Sequence, residues 1–451
     1  MNGQFDAIVI GMGPGGETAA SRLAEQGRRV AVVERELIGG ECGYWACIPS
    51  KTLLRPLEAR SEAAQVAGLN APRQDWEAMR AYRDTMIRHL DDSKQVEGYR
   101  SQGIPVFKGE ARITSRDPWR VGVGDQELTA EHVILATGSS AVRPPIEGLD
   151  EVEVWTSREA TTLNDIPDRV TVVGGSAVGV ELSQFLARMG TRVTLLQRGA
   201  RLMNREEQRV GDLTAELLRR DGIDVRTATE PHRAYRDGVD SVVELNDHTS
   251  VAADVILLAT GRSPRTDGLG LADIGVEAGP RGLSVDDRCR VTDDGLWAVG
   301  DITGVALFTH VAKYQGRIAA DNILGRDRTT DYTAVPRVVF SDPEIAAVGP
   351  TVDMAGESGI DVVSAEIDLT EALARPWIYE SSPSGHLGVL ADQRRRVLIG
   401  AWAISPLAGE WIHTAALAIR EGISVDRLTD SIAQFPTYSE GYLHAVEKLG
   451  L

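Results

Sequence analysis

Asp6-Ala7-Ile8-Val9-Ile10-Gly11-Met12-Gly13-Pro14-Gly15-Gly16 is the stretch that decides the fold. Asp6–Ile10 reads as a buried strand, a short apolar run rich in β-branched residues. The glycines then turn the chain into a helix reaching Gly27, and Val30–Val33 forms a second strand ending at Glu34. Strand, glycine turn, helix and strand with a terminal carboxylate make the β-α-β unit of a dinucleotide-binding fold. Gly11 supplies the tight turn, Gly13 the close approach of a pyrophosphate, and Gly16 the close packing of helix on strand. Glu34 is expected on the ribose hydroxyls.

Working outward, helical periodicity covers much of Lys51 to Arg100, and the strand Val133–Leu135 runs into Ala136-Thr137-Gly138. The pattern then repeats. Val170–Val173, Gly174-Gly175-Ser176-Ala177-Val178-Gly179, a helix to Met189 and the strand Arg192–Leu196 form a second unit, closed by Val255–Leu258 and Ala259-Thr260-Gly261-Arg262. Two units imply two nucleotides, as electron transfer between cofactors requires. Ser176 replaces the middle glycine and fits if its side chain faces away from the pyrophosphate. Leu296–Val299 leads into Gly300-Asp301, whose carboxylate can hold a ribityl or ribose hydroxyl or cap the next helix. Beyond the basic stretch Gly325–Thr330, strand-like Val338–Phe340, Val389–Leu390 and Val397–Ile399 and a helix near Trp411–Arg420 predict a separate α+β domain. The expected fold is α/β, with two Rossmann-like dinucleotide-binding domains followed by that α+β domain. The first comprises 1–150 and 270–330, the second 151–269, and the third 331–451.

The bulk composition is that of a globular chain: 451 residues, 42% hydrophobic, 25% charged, formal net charge −18. Such a charge repels phosphates and argues against nucleic acid or an anionic membrane surface as partner. No apolar run reaches the length of a signal or transmembrane helix, so a cytoplasmic protein is expected. Three cysteines make no disulfide framework. No metal site is read in the chain.

Two of those cysteines lie in Gly39-Gly40-Glu41-Cys42-Gly43-Tyr44-Trp45-Ala46-Cys47-Ile48-Pro49-Ser50-Lys51. They can close a small disulfide over the first turn of a helix, whose N-terminus favours thiolate. In a reducing compartment such a pair is catalytic rather than structural. Cys289 reads as a structural thiol.

Taken in order, Gly11–Gly16, Cys42–Lys51, Gly174–Glu181, Ala259–Arg262, Gly300-Asp301 and Phe435–Glu440 resemble the pyridine-nucleotide disulfide oxidoreductases, over nearly the whole chain. The resemblance implies FAD across Gly11, Gly13, Gly16, Glu34, Ala136, Thr137, Gly138, Gly300 and Asp301. It implies a nicotinamide nucleotide on Gly174, Gly175, Gly179 and Gly261. Cys47 is similar to the flavin-proximal sulfur and Cys42 to the interchange sulfur that meets substrate. Lys51 and Glu181 match an ion pair at the reactive edge of the flavin, where an ammonium stabilises negative charge. Phe308-Thr309-His310-Val311-Ala312 would start a helix aimed at the flavin, with His310 a pocket residue or a packed or capping one. The α+β domain would dimerise, giving a homodimer whose tail completes the partner's site. Gln197 stands where a carboxylate would repel a 2′-phosphate, and Arg198 and Arg201 are near, favouring NADPH over NADH.

The tail departs from that family. Its thiol-linked members carry His-Pro-Thr-x-x-Glu, the histidine serving as acid–base for the interchange thiol and the glutamate orienting it. Here the position is Phe435, with Pro436, Thr437 and Glu440 retained. Phenylalanine carries no proton, and losing a needed acid–base costs roughly 10²–10⁴-fold. Glu440, or His444 one helical turn on, could substitute. The tail lacks the cysteine pair of mercuric reductases. Tyr44 and Trp45 are larger than the family's usual residues, and either pack on flavin, narrow the disulfide pocket or fill the core. The expected function is an FAD enzyme passing electrons from NAD(P)H through Cys42–Cys47 to a small-molecule acceptor: a disulfide, a quinone or a metal ion. Two alternatives stand beside it. One is thioether cleavage resembling 2-ketopropyl-coenzyme M oxidoreductase/carboxylase, which shares the phenylalanine. The other is a non-enzymatic flavin redox sensor or complex subunit.

Overall fold

The computed structural model describes residues 4–451, and its chain divides into two compact units. One comprises Met1–Ser50, Ala81–Val142 and Gly261–Asp331, the other Lys51–Arg80, Arg143–Thr260 and Tyr332–Leu451.

In the first unit the strand Gln4–Ile10 lies between Val30–Glu34 and Gln126–Leu135 and is parallel to both. Val106–Lys108 extends the sheet on one side, Leu296–Ala298 and Arg290–Thr292 on the other. Every residue of Val30–Glu34 is buried, as expected of a parallel strand covered on both faces. The helix Pro14–Glu25 starts from Gly13 with proline at its first position, where no intrahelical N–H is needed. It buries Gly15, Gly16, Ala19, Ala20 and Leu23. At Gly16 a Cβ would collide with the Gly11 carbonyl, so only glycine permits this approach. Ala111–Arg116 and Trp119–Val123 form a hairpin that pairs antiparallel onto Gln126–Leu135; the sequence reading left this hairpin unassigned. The long helical stretch resolves into Cys47–Gln65, Trp76–Met86 and Ser93–Ser101.

In the second unit a fully parallel sheet runs in the order Asp224–Thr227, Arg192–Gln197, Arg169–Val173, Val255–Leu258, Val154–Trp155. The helix Ala177–Arg188 covers it, starting from Ser176. An antiparallel sheet follows, ordered Arg337–Val339, Glu344–Val348, Val397–Ser405, His386–Asp392, Val362–Asp368. Its core joins Val389, Ala401 and Ala403 to Trp411, Ile412 and Ala415 of the helix Ala408–Arg420. The fold class is therefore α/β, two dinucleotide-binding sheets and a C-terminal α+β region. The short strands Glu344–Val348 and Val362–Asp368 went unread because alanines and charged residues interrupt their apolar alternation.

Among the described residues, no helix is long and apolar enough to cross a membrane.

Candidate functional site

Cys42 sits in the short helix Gly40–Tyr44, and Cys47 opens the helix Cys47–Gln65. The two sulfurs lie within hydrogen-bond reach of each other. The Cys42 thiol is pushed far up, first by its bond to Cys47 and then by burial, while the Thr309 hydroxyl and the Lys313 charge pull the other way. The Cys47 sulfur, 3.4 Å from Thr309 Oγ1, lies where negative charge on it would be favoured. Thr309 opens the helix Thr309–Ile323, whose N-terminus favours that negative charge. The sequence reading had quoted Thr309 within its segment without assigning it a role. His310 is exposed, its ring stacked on Phe308 at 5.2 Å.

Several features of the first unit fit FAD. Gly11 has φ +94, and a Cβ there would collide with the Ala136 carbonyl; at Gly13 the space is open. Gly13 caps a helix whose first amides have no intrahelical acceptor, the arrangement that binds a pyrophosphate. Glu34 Oε2 accepts the Met12 N–H and Oε1 the Glu36 N–H, both at 2.7 Å. Burial nevertheless raises the Glu34 pKa above its ordinary value. Asp301, on the turn Gly300–Thr303, is likewise raised by burial and takes the Ser139 hydroxyl at 2.5 Å. Arg262 Nε donates in turn to Ser139 Oγ at 2.7 Å. Two buried carboxylates with lone pairs to spare suit a ligand rich in hydroxyls. Ala136 N–H donates to Ile10 O at 2.7 Å and Thr137 Oγ1 to Arg265 O at 2.6 Å, while Gly138 takes φ +71. Gly300 N–H is held by Gln315 Oε1 at 2.7 Å. Beside the redox loop, Arg265 pairs with Glu41 at 2.9 Å. Ser139 and Arg265 carry no sequence signal, and Arg262 and Glu41 lie in quoted motifs without a role, because their partners lie more than a hundred residues away.

The second unit repeats the cradle with altered chemistry. Gly174 has φ +112 with the Ala259 carbonyl in the way of a Cβ, and Gly179 packs on the Gly174 carbonyl. Gly175 is confined by Leu202. Ser176 is exposed and caps its helix without a side-chain hydrogen bond. Gly261, which begins the last segment of the first unit, takes φ +110. Gln197 Oε1 accepts the Gly175 N–H at 3.0 Å, and its amide donates to Arg201 O at 3.2 Å. Arg198 is 80% exposed and reaches Glu230 only at 3.7 Å. Arg201 Nε is buried with no hydrogen-bond partner among the described residues.

Lys51 Nζ meets Glu181 Oε2 at 2.7 Å and lies 4.8 Å from the centre of the Phe340 ring. Glu181 Oε1 accepts the Phe340 N–H at 2.9 Å. Phe340 thus braces both members of the pair, and no local motif could have shown it.

In the tail, Phe435 is 72% exposed and Ile432 99%. One carboxylate oxygen of Glu440, Oε2, is buried without a hydrogen-bond partner among the described residues. His444 faces Glu447 at 3.9 Å.

Residues 5–316 match the family profile described as pyridine nucleotide-disulphide oxidoreductase, and residues 335–446 match that family's dimerisation domain. The chain is 35% identical to a mercuric reductase of Streptomyces lividans over 97% of this chain and 94% of the relative. It is 33% identical to a dihydrolipoyl dehydrogenase of Geobacillus stearothermophilus, over 98% and 96%. Among solved structures, the HOCl-induced flavoprotein disulfide reductase RclA from Escherichia coli superposes with TM-score 0.87 at 28% identity, covering 98% of this chain and 99% of that one. Its Cu(II) complex gives the same figures.

Proposed function

The chain belongs to the pyridine nucleotide-disulphide oxidoreductases, enzymes that use FAD and NAD(P)H, and from that premise we propose that it carries electrons from NADPH through FAD and Cys42–Cys47 to a metal ion or a quinone. Its dimerisation region supports a homodimer. When bound, FAD supplies the two-electron relay between nicotinamide and sulfur.

The chain's own residues divide the remaining work. Glu34, Asp301 and the glycines of the first unit hold the flavin nucleotide; Gly174, Gly175, Gly179 and Gly261 hold the nicotinamide nucleotide. Lys51, fixed by Glu181 and Phe340, holds an ammonium suited to stabilising negative charge. The Thr309 hydroxyl and its helix N-terminus face the Cys47 sulfur and favour negative charge on it, while Cys42 meets the acceptor. For NADPH, the Gln197 amide removes the carboxylate that would repel a 2′-phosphate, and the buried Arg201 N–H has a bond to give.

The observation that carries the choice of acceptor is the tail. Reducing a disulfide substrate requires a proton for the departing thiolate. Phe435 supplies none, and one oxygen of Glu440 has no hydrogen-bond partner among the described residues. A metal ion or quinone needs less of such help. The named relatives include a mercuric reductase and a reductase solved with Cu(II).

The test is anaerobic reduction with NADPH, followed by mixing with lipoamide, with a naphthoquinone or with Cu(II), while the thiolate–flavin charge-transfer band is followed. Fast decay with quinone or Cu(II) and slow decay with lipoamide is expected. Fast decay with lipoamide would overturn the choice of acceptor.

A further inference from the structure

Arg88, His89 and Leu90 take φ values of +54, +51 and +57 in succession. None is glycine, and each L-residue held there carries a steric cost. Three in a row form a left-handed turn that must be repaid elsewhere. Their own burial does not repay it, because all three side chains are exposed.

The turn's partners lie on the redox loop. At its far end, Asp92 Oδ2 accepts the Ile38 N–H at 2.7 Å, just before Gly39-Gly40, and Lys108 holds Asp92 at 2.8 Å. At its near end, Arg88 Nη1 donates to Tyr44 Oη at 3.4 Å, and the guanidinium lies 5.6 Å from the centre of the Tyr44 ring. Tyr44 is fully buried and closes the helix that carries Cys42. Its ring also packs on Gly39: a Cβ there would come within 3.0 Å of it. Residues 38–44 are thus gripped at both ends by one strained turn. The same guanidinium faces Glu17, whose carboxyl is raised by burial and lowered most by Arg88.

We propose that Arg88, delivered by the left-handed turn and acting through Tyr44, is a positioning residue for the redox loop, holding Cys42 against Cys47. The proposal rests on the reading of Cys42–Cys47 as the redox-active pair. Gripping the loop keeps the two sulfurs close and so favours the disulfide over the open dithiol. Releasing it lowers their effective concentration.

The holoenzyme and its Arg88→Met, Tyr44→Phe, double and His89→Gly variants are equilibrated in glutathione buffers, and Cys42–Cys47 is read by alkylation and mass. Each disulfide reduced consumes two glutathiones and releases one glutathione disulfide. Arg88→Met and Tyr44→Phe should each shift the equilibrium about three- to fivefold toward dithiol, the size of one modest hydrogen bond. The double variant should shift it no further than either single one. His89→Gly, which relieves strain without touching the contact, should leave the equilibrium unchanged and raise the unfolding midpoint by about 2–4 °C. If Arg88→Met folds poorly, Tyr44→Phe alone carries the test. Equilibria within twofold of the parent for both single variants, or additive shifts in the double, would overturn the proposal. If NADPH exposes no new alkylatable thiols in the parent enzyme, it is the redox reading itself that fails, whatever Arg88 does.

Discussion

The chain solves one problem twice. In both β-α-β units a tight glycine is followed by a residue whose N–H is taken by the side chain ending the second strand. In the first unit Met12 donates to Glu34, in the second Gly175 to Gln197, both across 22 positions. The helix-packing glycines Gly16 and Gly179 meet the same kind of obstacle, the carbonyl of the first glycine. The units differ where a ligand would touch them. Glu34 is an acceptor at both oxygens. Gln197 spends its oxygen on the backbone and turns its amide nitrogen toward Arg201 O. The backbone scaffold is shared while Glu34 and Gln197 differ, so the pair offers a way to separate what makes the fold from what would meet the nucleotide.

The sharpest way to break the comparison is at the shared scaffold. Gly16→Ala and Gly179→Ala should each cost roughly 2–3 kcal/mol through forced overpacking. The first should lose flavin absorbance; the second should keep it and lose NADPH-driven reduction. Identical phenotypes would mean the units do not divide the two nucleotides. Next in size, Gln197→Glu gives the second unit the group of the first. A carboxylate beside a 2′-phosphate should shift the NADPH-to-NADH preference in kcat/KM by roughly tenfold or more toward NADH; no shift would remove Gln197 from the specificity site. Arg201→Gln should raise the KM for NADPH about fivefold and leave kcat and the KM for NADH near the parent values, as loss of one charge-assisted bond implies. Equal changes with both nucleotides would make Arg201 structural.

The smallest expected effect is a pH dependence present in one unit and absent from the other. Burial raises the Glu34 pKa in the folded chain. Protonated Glu34 is therefore the form that folding favours. Its contribution is complete below the unfolded-state value near 4.5 and is lost as pH rises through the folded value. Gln197 does not titrate. In apo-protein, Glu34→Gln should flatten the fall of the unfolding midpoint as pH rises from 4.5 toward neutrality, by a few degrees at most. Parallel profiles for parent and variant would show that the Met12 and Glu36 N–H bonds offset the effect of burial on Glu34.

What could be read in advance follows the range of each interaction. The strand–glycine–helix units were legible because turn, packing and ribose carboxylate all fall within about two dozen residues. The Cys42–Cys47 loop was legible for the same reason. Phe340 bracing Lys51 and Glu181 was not, since the three meet only after folding, and neither was Ser139 on Asp301. The hairpin Ala111–Val123 escaped because its strands are short, although Trp119–Val123 alternates buried and exposed residues. The left-handed turn at Arg88–Leu90 had no signal at all. Residues without glycine, asparagine or aspartate rarely enter that region, and nothing local compels it.

Phe435 was first notable for the proton it cannot carry, yet it also leaves an aromatic ring in water. With Ile432 beside it in sequence, the tail exposes two large apolar side chains, each worth roughly 1.5–3 kcal/mol if fully covered. If a second copy provides that cover, the reward arrives only on assembly. Thermal resistance should then depend on how much protein is in the tube, rising with concentration as association does, and a very dilute sample should denature sooner than a concentrated one.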